Sequence, residues 1–393
     1  MAISLVSISD GCVHGYSTIA LPQLQSNETD DALQLSESQG SWFAATAAGS
    51  GIIFAPLGGA LSSKIGRKKL VLICSPMVVI GWMFIANATD KYLLFTGRLI
   101  SAIATYAMMS APSAYISEIA HPDFRATLAS LPGFSLSVGL SLVWVLGYFF
   151  TWKTIAFLSI FPPSILIILL LYLPESPYWL VKEGKNELAQ KSLRFYRPIN
   201  YNITDEFDEI NQKNVEKKFH LRRRNFRPFF KAFFRPFSCV GILWILNMWS
   251  GYPALSVYLI SIMEASGSPI DPALVPTMIG IMRVSIAGIL PFMVQKFPPK
   301  MTFAIGQFLK AVSMTFIGLF FTFQYLYPRS MYVAIFNWVP FVMIIAQFFL
   351  RSVAVQPVLY TLVGELFPTE IRTLAVGIVQ SSFFASAFII GKC

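Results

Sequence analysis

Charged residues are scarce in this sequence. Only 13% of its 393 residues are Asp, Glu, Lys or Arg, whereas 55% are hydrophobic; a soluble domain carries about 25% charged residues. So little charge excludes a soluble globular protein. The composition predicts an all-α membrane protein that crosses the bilayer several times.

Cysteine is also rare. The sequence has Cys12, Cys74, Cys239 and Cys393, and this spacing fits neither a zinc site nor a disulfide framework. No hydrolase, kinase or redox constellation is present either. We therefore expect neither an enzyme nor a bound metal or cofactor.

Basic residues outnumber acidic ones, with a formal net charge of +10. Of the 30 Lys and Arg residues, 14 fall between Lys182 and Arg235, in one polar segment between apolar runs. This is the pattern of a cytoplasmic loop. The expected partners are therefore the lipid bilayer and a small solute, and not nucleic acid; the sequence predicts no particular oligomeric state.

Eleven apolar runs have about the length that a helix needs to cross a bilayer, roughly 20 residues. Six lie in the first half, at 3–21, 42–61, 70–88, 92–116, 126–149 and 154–173. Five lie in the second half, at 236–263, 274–294, 301–323, 332–362 and 371–390.

The stretch Pro174-Glu175-Ser176-Pro177 separates the two halves. Two prolines so close together interrupt a helix, so the sixth span must end here. The predicted domains are an N-terminal bundle of six helices at 1–173, a cytoplasmic loop with short helices at 174–235, and a C-terminal bundle of five helices at 236–393.

Loop charges set the predicted orientation. The loop 22–40 has four acidic residues and no Lys or Arg, whereas the loop 62–69 has four basic residues. Because basic loops stay in the cytoplasm, the first loop should face outside. The sequon at Asn27 should then be glycosylated, whereas the sequon at Asn202 should not be.

An internal repeat links the two halves. Glu118 stands seven residues before Arg125, and Glu365 stands seven residues before Arg372, each pair across a turn that contains proline. Matched turns in corresponding places predict a duplicated bundle, as in many secondary transporters.

Several short motifs resemble a known family. They are Gly66-Arg67-Lys68, Gly97-Arg98, the two Glu/Arg turns, Pro174-Glu175-Ser176-Pro177 and Glu365-Leu366-Phe367-Pro368. Together they resemble the sugar-porter family of the major facilitator superfamily, and within it the insect-type facilitated trehalose transporters. The resemblance implies two pseudo-symmetric six-helix bundles, with the second short of one helix here. It also implies facilitated, alternating-access transport of a sugar, trehalose or a hexose, across the cell membrane.

The resemblance further implies a cytoplasmic charge network that holds the halves together when the pore is open outward. Its members would be Arg67, Glu118, Arg125, Glu175, Glu365 and Arg372. Opposite charges on both bundles can pair in one state and separate in another. The alternative is that these residues are solvated charges that only set the topology.

The sugar site departs from the family pattern. The family's Gln in span five is Gly133 here, and its Gln pair in span seven is Asn247 and Met248. The remaining predicted substrate contacts are Asn247, Tyr258, Arg283, Tyr360 and Phe384. Fewer amides mean fewer fixed partners for sugar hydroxyl groups.

In place of the family's amide side chains, the apolar spans contain cations at membrane depth. Arg283, Lys310 and Arg351 lie within apolar runs, and Asp10 is a carboxylate deep in the first half. A charge at the bilayer centre costs about 2.5–3.5 kcal/mol on insertion scales, so each cation needs water or a partner. Arg283 could bind a sugar oxygen or an anionic solute; the alternatives are snorkelling and pairing with another span.

The position of Ser17 bears on coupling. Proton-coupled members of the family have Asp there, so the resemblance implies uncoupled transport. Two other functions stay open. One is transport of another, possibly anionic, small solute, which the three cations favour. The other is a non-transporting sensor or remnant, which the lost amides favour.

Overall fold

The computed structural model describes residues 2–26, 33–121, 128, 130–198, 201–222, 238, 241–293, 298–328, 330–356, 358–359 and 372–392. These residues form helices and short connections, with no β-strand among them. Helices occupy all eleven predicted segments. The prediction of an all-α fold is confirmed.

The first half contains spans 1 to 6. They are Leu5–Gln25, Glu37–Ile65, Arg67–Ala86, Lys91–Met108 continued by Ala111–Ile119, Leu131–Phe149, and Trp152–Leu158 continued by Phe161–Tyr172. Three shorter helices follow, at Pro177–Lys182, Asn186–Tyr196 and Ile203–Arg222. They lie in the predicted cytoplasmic loop and pack around their own small apolar cluster.

The second half contains spans 7 to 11. Span 7 has three pieces, at 241–249, Tyr252–Val257 and Leu259–Ser266. Spans 8 and 9 are Leu274–Met293 and Pro299–Leu326. Span 10 consists of Met331–Phe336, Val339–Leu350 and the π-helical turn Arg351–Val355, and span 11 is Arg372–Lys392.

Seven of the described helices are long and apolar enough to cross a membrane. They are Glu37–Ile65, Arg67–Ala86, Lys91–Ile119, Leu131–Phe149, Trp152–Tyr172, Lys300–Leu326 and Met331–Val355. The chain is therefore a multi-pass membrane protein. The domain boundaries at 173 and 235 stay predictions.

Local signals explain where two spans begin. Ser36 starts span 2 with a capping box, in which its Oγ accepts from the Gln39 N–H and the Gln39 side chain accepts from the Ser36 N–H. Asp90 starts span 4, where its carboxylate accepts from the Leu93 N–H at 2.8 Å. Each cap satisfies N–H groups that have no partner inside the helix.

Glycines allow the spans to pack closely. A Cβ on Gly139 of span 5 would lie 2.0 Å from the Ile8 carbonyl oxygen of span 1, so only glycine fits there. Between the halves, Gly51 of span 2 faces the ring of Phe384 in span 11. The halves therefore meet along spans 2 and 11.

Spans 5 and 8 form a second line of contact between the halves. The Ser141 hydroxyl donates to the Gly280 carbonyl at 2.7 Å. The Thr277 hydroxyl donates to the Trp144 carbonyl at 3.1 Å. These bonds tie two apolar helices at fixed positions.

Span 7 is broken at Gly251, which has a φ of 83°. Residues other than glycine rarely adopt this left-handed conformation. The next helical piece begins directly after it, at Tyr252 and Pro253. The break turns Tyr252 towards the space between the two halves, where the candidate site lies.

Candidate functional site

A cavity of about 130 Å³ lies between the two halves. Its lining comes from spans 1, 2, 4 and 5 of the first half and from spans 7, 8, 10 and 11 of the second. A solute bound there would touch both bundles. Relative motion of the bundles would therefore change its surroundings directly.

Arg98 forms part of the first-half wall. Only 1% of this residue is exposed, and its Nη2 donates to Ser17 Oγ at 2.7 Å. Its guanidinium also lies over the rings of Tyr16 and Phe43, at 5.6 and 5.3 Å from their centroids. Among the described residues, Arg98 has a hydroxyl and two aromatic faces as partners and no carboxylate.

Asp10 and His14 form a second polar group on span 1. They stand four residues apart, so they share one face of the helix. His14 Nδ1 lies 3.1 Å from Asp10 Oδ1, and Asp10 is buried. The His14 ring meets the Tyr106 ring edge-on, with centroids 5.5 Å apart.

Tyr252 is the centre of the second-half wall. Arg283 Nη1 of span 8 donates to the Tyr252 hydroxyl at 3.1 Å. The guanidinium carbon of Arg351, in the π-helical turn of span 10, lies 3.5 Å from the Tyr252 ring centroid. One phenol ring thus holds two cations from two different spans, one at its hydroxyl and one over its face.

Lys310 lies behind this wall, buried within the second half. Its Nζ donates to Asn247 Oδ1 at 2.9 Å, to Ser250 Oγ at 3.0 Å and to Gln307 Oε1 at 3.3 Å. All three acceptors are neutral. Asn247 and Ser250 lie within the last four residues before the break at Gly251, so Lys310 fixes the end of the first piece of span 7.

The structure separates the predicted substrate residues into three groups. Arg283 and Phe384 line the cavity. Asn247 and Tyr258 lie away from it: Asn247 accepts from Lys310, and the Tyr258 hydroxyl lies 3.5 Å from Ser41 Oγ. Tyr360 lies outside the described residues. A role in substrate binding stays a prediction for all five.

Sequence reasoning missed three residues of the wall as site residues. Arg98 belongs to the Gly97-Arg98 motif, but a cation inside an apolar span is itself a signal for a site residue. Tyr252 follows the glycine at which span 7 breaks. His14 stands one helical turn after Asp10.

Arg67 and Glu118 form an ion pair near the predicted cytoplasmic ends of spans 3 and 4. Arg67 Nη2 lies 2.7 Å from Glu118 Oε1, and both side chains are mostly buried. The Ser176 hydroxyl donates to the other Glu118 oxygen. One carboxylate thus joins two spans to the Pro-Glu-Ser-Pro stretch.

Glu175 caps span 3. Its carboxylate accepts from the N–H groups of Lys68 at 3.1 Å and Lys69 at 3.3 Å, where the positive end of the helix dipole favours an anion. Gly66 just before this end has a φ of 105°, and a Cβ there would lie 2.5 Å from Glu175 Oε2. The Gly66-Arg67-Lys68 motif therefore leaves room for the Glu175 carboxylate at Gly66 and, with Lys69, provides N–H donors to it from the start of span 3.

The short helices that follow the first half contact the end of span 4. Arg197 binds Glu206 and donates to the Ile119 carbonyl at 2.9 Å, and hydrogen bonding to Glu206 raises the pKa of Arg197. The hydroxyl groups of Tyr196 and Tyr115 lie 2.6 Å apart. Burial raises the pKa of Tyr196 to about 12, so this hydroxyl stays neutral at pH 7.

These described contacts of the predicted charge network join parts of the first half and the loop that follows it. Arg125, Glu365 and the side chain of Arg372 lie outside what the structure describes. A charged link between the two halves therefore stays a prediction.

The halves do meet on the side predicted to be extracellular. The Thr18 hydroxyl of span 1 donates to the Ser256 carbonyl of span 7 at 2.6 Å. The pair of Tyr258 and Ser41 lies in the same region. Both contacts involve the pieces of span 7 after its break.

Broken helices that meet at a cavity between two helical bundles are the build of a secondary transporter. Residues 6–393 match the model of the "Sugar (and other) transporter" family, and the chain belongs to this family. The expectation of a transporter of this family is confirmed.

Two relatives and two solved structures show which proteins this chain is similar to. It is 26% identical over 395 residues to the facilitated trehalose transporter Tret1 of Apis mellifera ligustica, covering 100% of this chain and 77% of the relative. It is also 26% identical over 392 residues to Tret1 of Bombyx mori, covering 100% and 76%.

Among solved structures, the xylose transporter XylE from E. coli in a partially occluded inward-open conformation has a TM-score of 0.79 at 21% identity, with 100% of this chain and 89% of that chain covered. The proton:xylose symporter XylE bound to 6-bromo-6-deoxy-D-glucose has a TM-score of 0.76 at 22% identity, with 99% and 87% covered. The fold is that of the major facilitator superfamily, as the sequence predicted.

Proposed function

We propose that this chain carries a sugar, trehalose or a hexose, across the cell membrane by facilitated, alternating-access diffusion. The observation that carries the proposal is the cavity enclosed by both halves and lined by polar and aromatic side chains. The trehalose-transporter names of the relatives support the substrate class. A cavity shared by two bundles can open to either side in turn.

Span 7 is the moving element that the geometry favours. Its pieces after Gly251 touch span 1 through Thr18 and Ser256. Losing this contact would open the cavity on the extracellular side. Because Gly251 adopts φ values on both sides of zero readily, it can absorb the change in backbone direction.

Aromatic side chains would hold the sugar ring. Trp144 of span 5 and Phe384 of span 11 line the cavity on opposite halves. Aromatic rings offer apolar surface to a sugar, while nearby polar groups orient its hydroxyl groups. Arg283 would supply N–H donors to a sugar oxygen.

Transport is proposed to be uncoupled from protons. Arg98 binds the Ser17 hydroxyl, which does not titrate near neutral pH. The arrangement supports facilitated diffusion along the solute gradient.

The cytoplasmic charges are proposed to control the change of state. The Arg67–Glu118 pair and the Glu175 cap hold spans 3 and 4 to the loop after the first half. Arg125, Glu365 and Arg372 would complete a network that joins the halves in the outward-open state.

A second candidate is transport of a different, anionic solute, which buried Arg283 and Arg351 favour. A non-transporting sensor is the third, and a flux measurement decides between it and the transporters.

The test is uptake of radiolabelled trehalose and glucose by proteoliposomes that contain the purified chain. We expect saturable uptake of at least one sugar above that of empty liposomes. Ala48→Trp should abolish it, because Ala48 lines the cavity. Ala60→Trp, on the exposed face of the same span, is the matched control and should transport normally.

No uptake of either sugar by the folded, unmodified chain would overturn the proposal. Equal uptake by both tryptophan variants would mean that the solute does not pass through this cavity.

A further inference from the structure

The charged residues on the cavity wall leave an excess of positive charge. Among the residues that the structure describes, three arginines line the cavity, Arg98, Arg283 and Arg351, together with one carboxylate, that of Asp10. Without counting Arg351, the charges of Arg98 and Arg283 against that of Asp10 still leave a formal net charge of +1, with His14 neutral. A neutral sugar would leave this excess unchanged.

Arg283 shows the imbalance most clearly. The residue is 3% exposed, and its hydrogen bond within the described chain is the one to the Tyr252 hydroxyl. Its Nε is buried without a hydrogen-bond partner. A guanidinium has five N–H donors, so this side chain retains most of its capacity to bind an acceptor.

The carboxylate of Asp10 serves a different group. Its Oδ1 lies 3.1 Å from His14 Nδ1 on span 1. Among the described residues, no carboxylate oxygen lies within 4.0 Å of a side-chain nitrogen of Arg283 or Arg98. Leaving a buried cation without an anion is unfavourable, so an anion that enters this cavity is stabilised there.

The second-half wall has the shape for such an anion. Tyr252 contacts the guanidinium group of Arg283 at its hydroxyl and that of Arg351 over its ring face. Guanidinium groups pair with carboxylates and phosphates through two parallel hydrogen bonds. Trp144 and Phe384 line the same cavity and offer apolar surface to the rest of the solute.

We propose that the cavity binds an acidic monosaccharide, whose anionic group, a carboxylate or a phosphate, lies against Arg283 and Arg351 beside Tyr252. The inference rests on the proposed function, transport of a sugar, and it narrows the substrate class. The negative charge of this group offsets the positive charge of the arginines, and the sugar ring lies towards Trp144 and Phe384.

The first experiment uses the unmodified chain in proteoliposomes. Uptake of radiolabelled glucose is measured against rising concentrations of unlabelled glucose, glucuronate and glucose 6-phosphate. We expect at least one acidic sugar to inhibit at a concentration about tenfold lower than glucose does, which corresponds to about 1.4 kcal/mol in binding. The two acidic sugars distinguish a carboxylate site from a phosphate site.

The second experiment tests the site itself. Arg283→Gln and Arg351→Gln should each weaken inhibition by the acidic sugar about tenfold or more, because a charge-assisted hydrogen bond is lost. Glucose uptake by each variant is measured separately, because Arg283 is also proposed to donate to a sugar oxygen. Arg283→Lys is the matched variant: it keeps a positive charge at this position, and so should keep more of the preference for the acidic sugar than Arg283→Gln does.

A third measurement does not depend on variants that fold. Import of an anion moves charge, so an inside-positive membrane potential should speed uptake of labelled acidic sugar and leave glucose uptake unchanged.

The outcomes separate the two proposals. Glucose uptake that neither acidic sugar inhibits would overturn the acidic-sugar inference and leave sugar transport standing. Inhibition that both arginine substitutions leave unchanged would overturn the assigned site. Absence of uptake for trehalose, glucose and both acidic sugars would overturn the proposed function itself.

Discussion

Arg98 of span 4 donates a 2.7 Å hydrogen bond to the hydroxyl of Ser17 in span 1. The pair is buried on the first-half wall of the cavity. A cation therefore meets a neutral acceptor at the position where proton-coupled members of the family have a carboxylate. A single substitution at Ser17 therefore tests whether sugar uptake is coupled to protons.

Ser17→Asp should make uptake depend on a proton gradient. A carboxylate beside Arg98 can bind and release a proton, which the hydroxyl does not do near neutral pH. The measurement is the initial rate of sugar uptake with and without an inward pH gradient. Ser17→Asn, which adds similar volume without a charge, is the control. A gradient effect on the unmodified chain would contradict uncoupled transport.

The ion pair of Arg67 and Glu118 should be energetically coupled. Removing one partner leaves the other mostly buried and unpaired, so each single substitution to Gln should destabilise the chain and shift its conformational equilibrium. The double variant should recover a coupling energy of about 0.5–3 kcal/mol. Thermal stability in detergent and spin-label distances between the halves provide the two measurements. If the effects of the two single substitutions simply add in the double variant, the two residues are not coupled and only set the topology.

Gly66→Ala should lower the melting temperature. The Gly66 backbone has a φ of 105° and a ψ of 154°, a region that costs other residues about 1–3 kcal/mol. The new Cβ would also displace the Glu175 carboxylate from the end of span 3. Gly184→Ala is the control, because Gly184 has a φ of 77° but open space around it. Equal losses in both variants would argue against the role of Glu175 as a cap.

Lys310→Met should destabilise the second half. The change leaves buried Asn247 and half-buried Ser250 without their donor, and an unsatisfied buried group such as Asn247 costs about 1–3 kcal/mol. It should also loosen the break in span 7 and slow transport. Lys300→Met, at an exposed position near the start of the same span, is the control. Equal melting temperatures for the two variants would contradict the role of Lys310.

Asn27 should carry a glycan when the chain is made in cells that glycosylate secreted proteins. The prediction follows from the acidic loop 22–40, since Asn27 lies outside the described residues. Glycosidase treatment should shift the mobility of the unmodified chain and of Asn202→Gln but not of Asn27→Gln. A glycan at Asn202 instead would reverse the orientation.

The sequence by itself determined the helices and their grouping. Apolar runs long enough to cross a bilayer are a local property, because backbone groups in lipid must be satisfied within each helix. The Pro174-Glu175-Ser176-Pro177 stretch and the family motifs are likewise local patterns of neighbouring residues. The seven membrane-spanning helices and the fold of the superfamily agree with that prediction.

Only the tertiary structure decided which polar residues face the cavity. Asn247, predicted to bind substrate, lies against Lys310, whereas Tyr252 faces the cavity between two arginines. The two residues are five positions apart, and the break at Gly251 stands between them, so helical periodicity does not carry across. Asn247 and Ser250 reach Lys310 from another span, and the partners of Arg283 and Arg98 also come from other spans. Pairing over such separations depends on how the helices pack rather than on any local pattern.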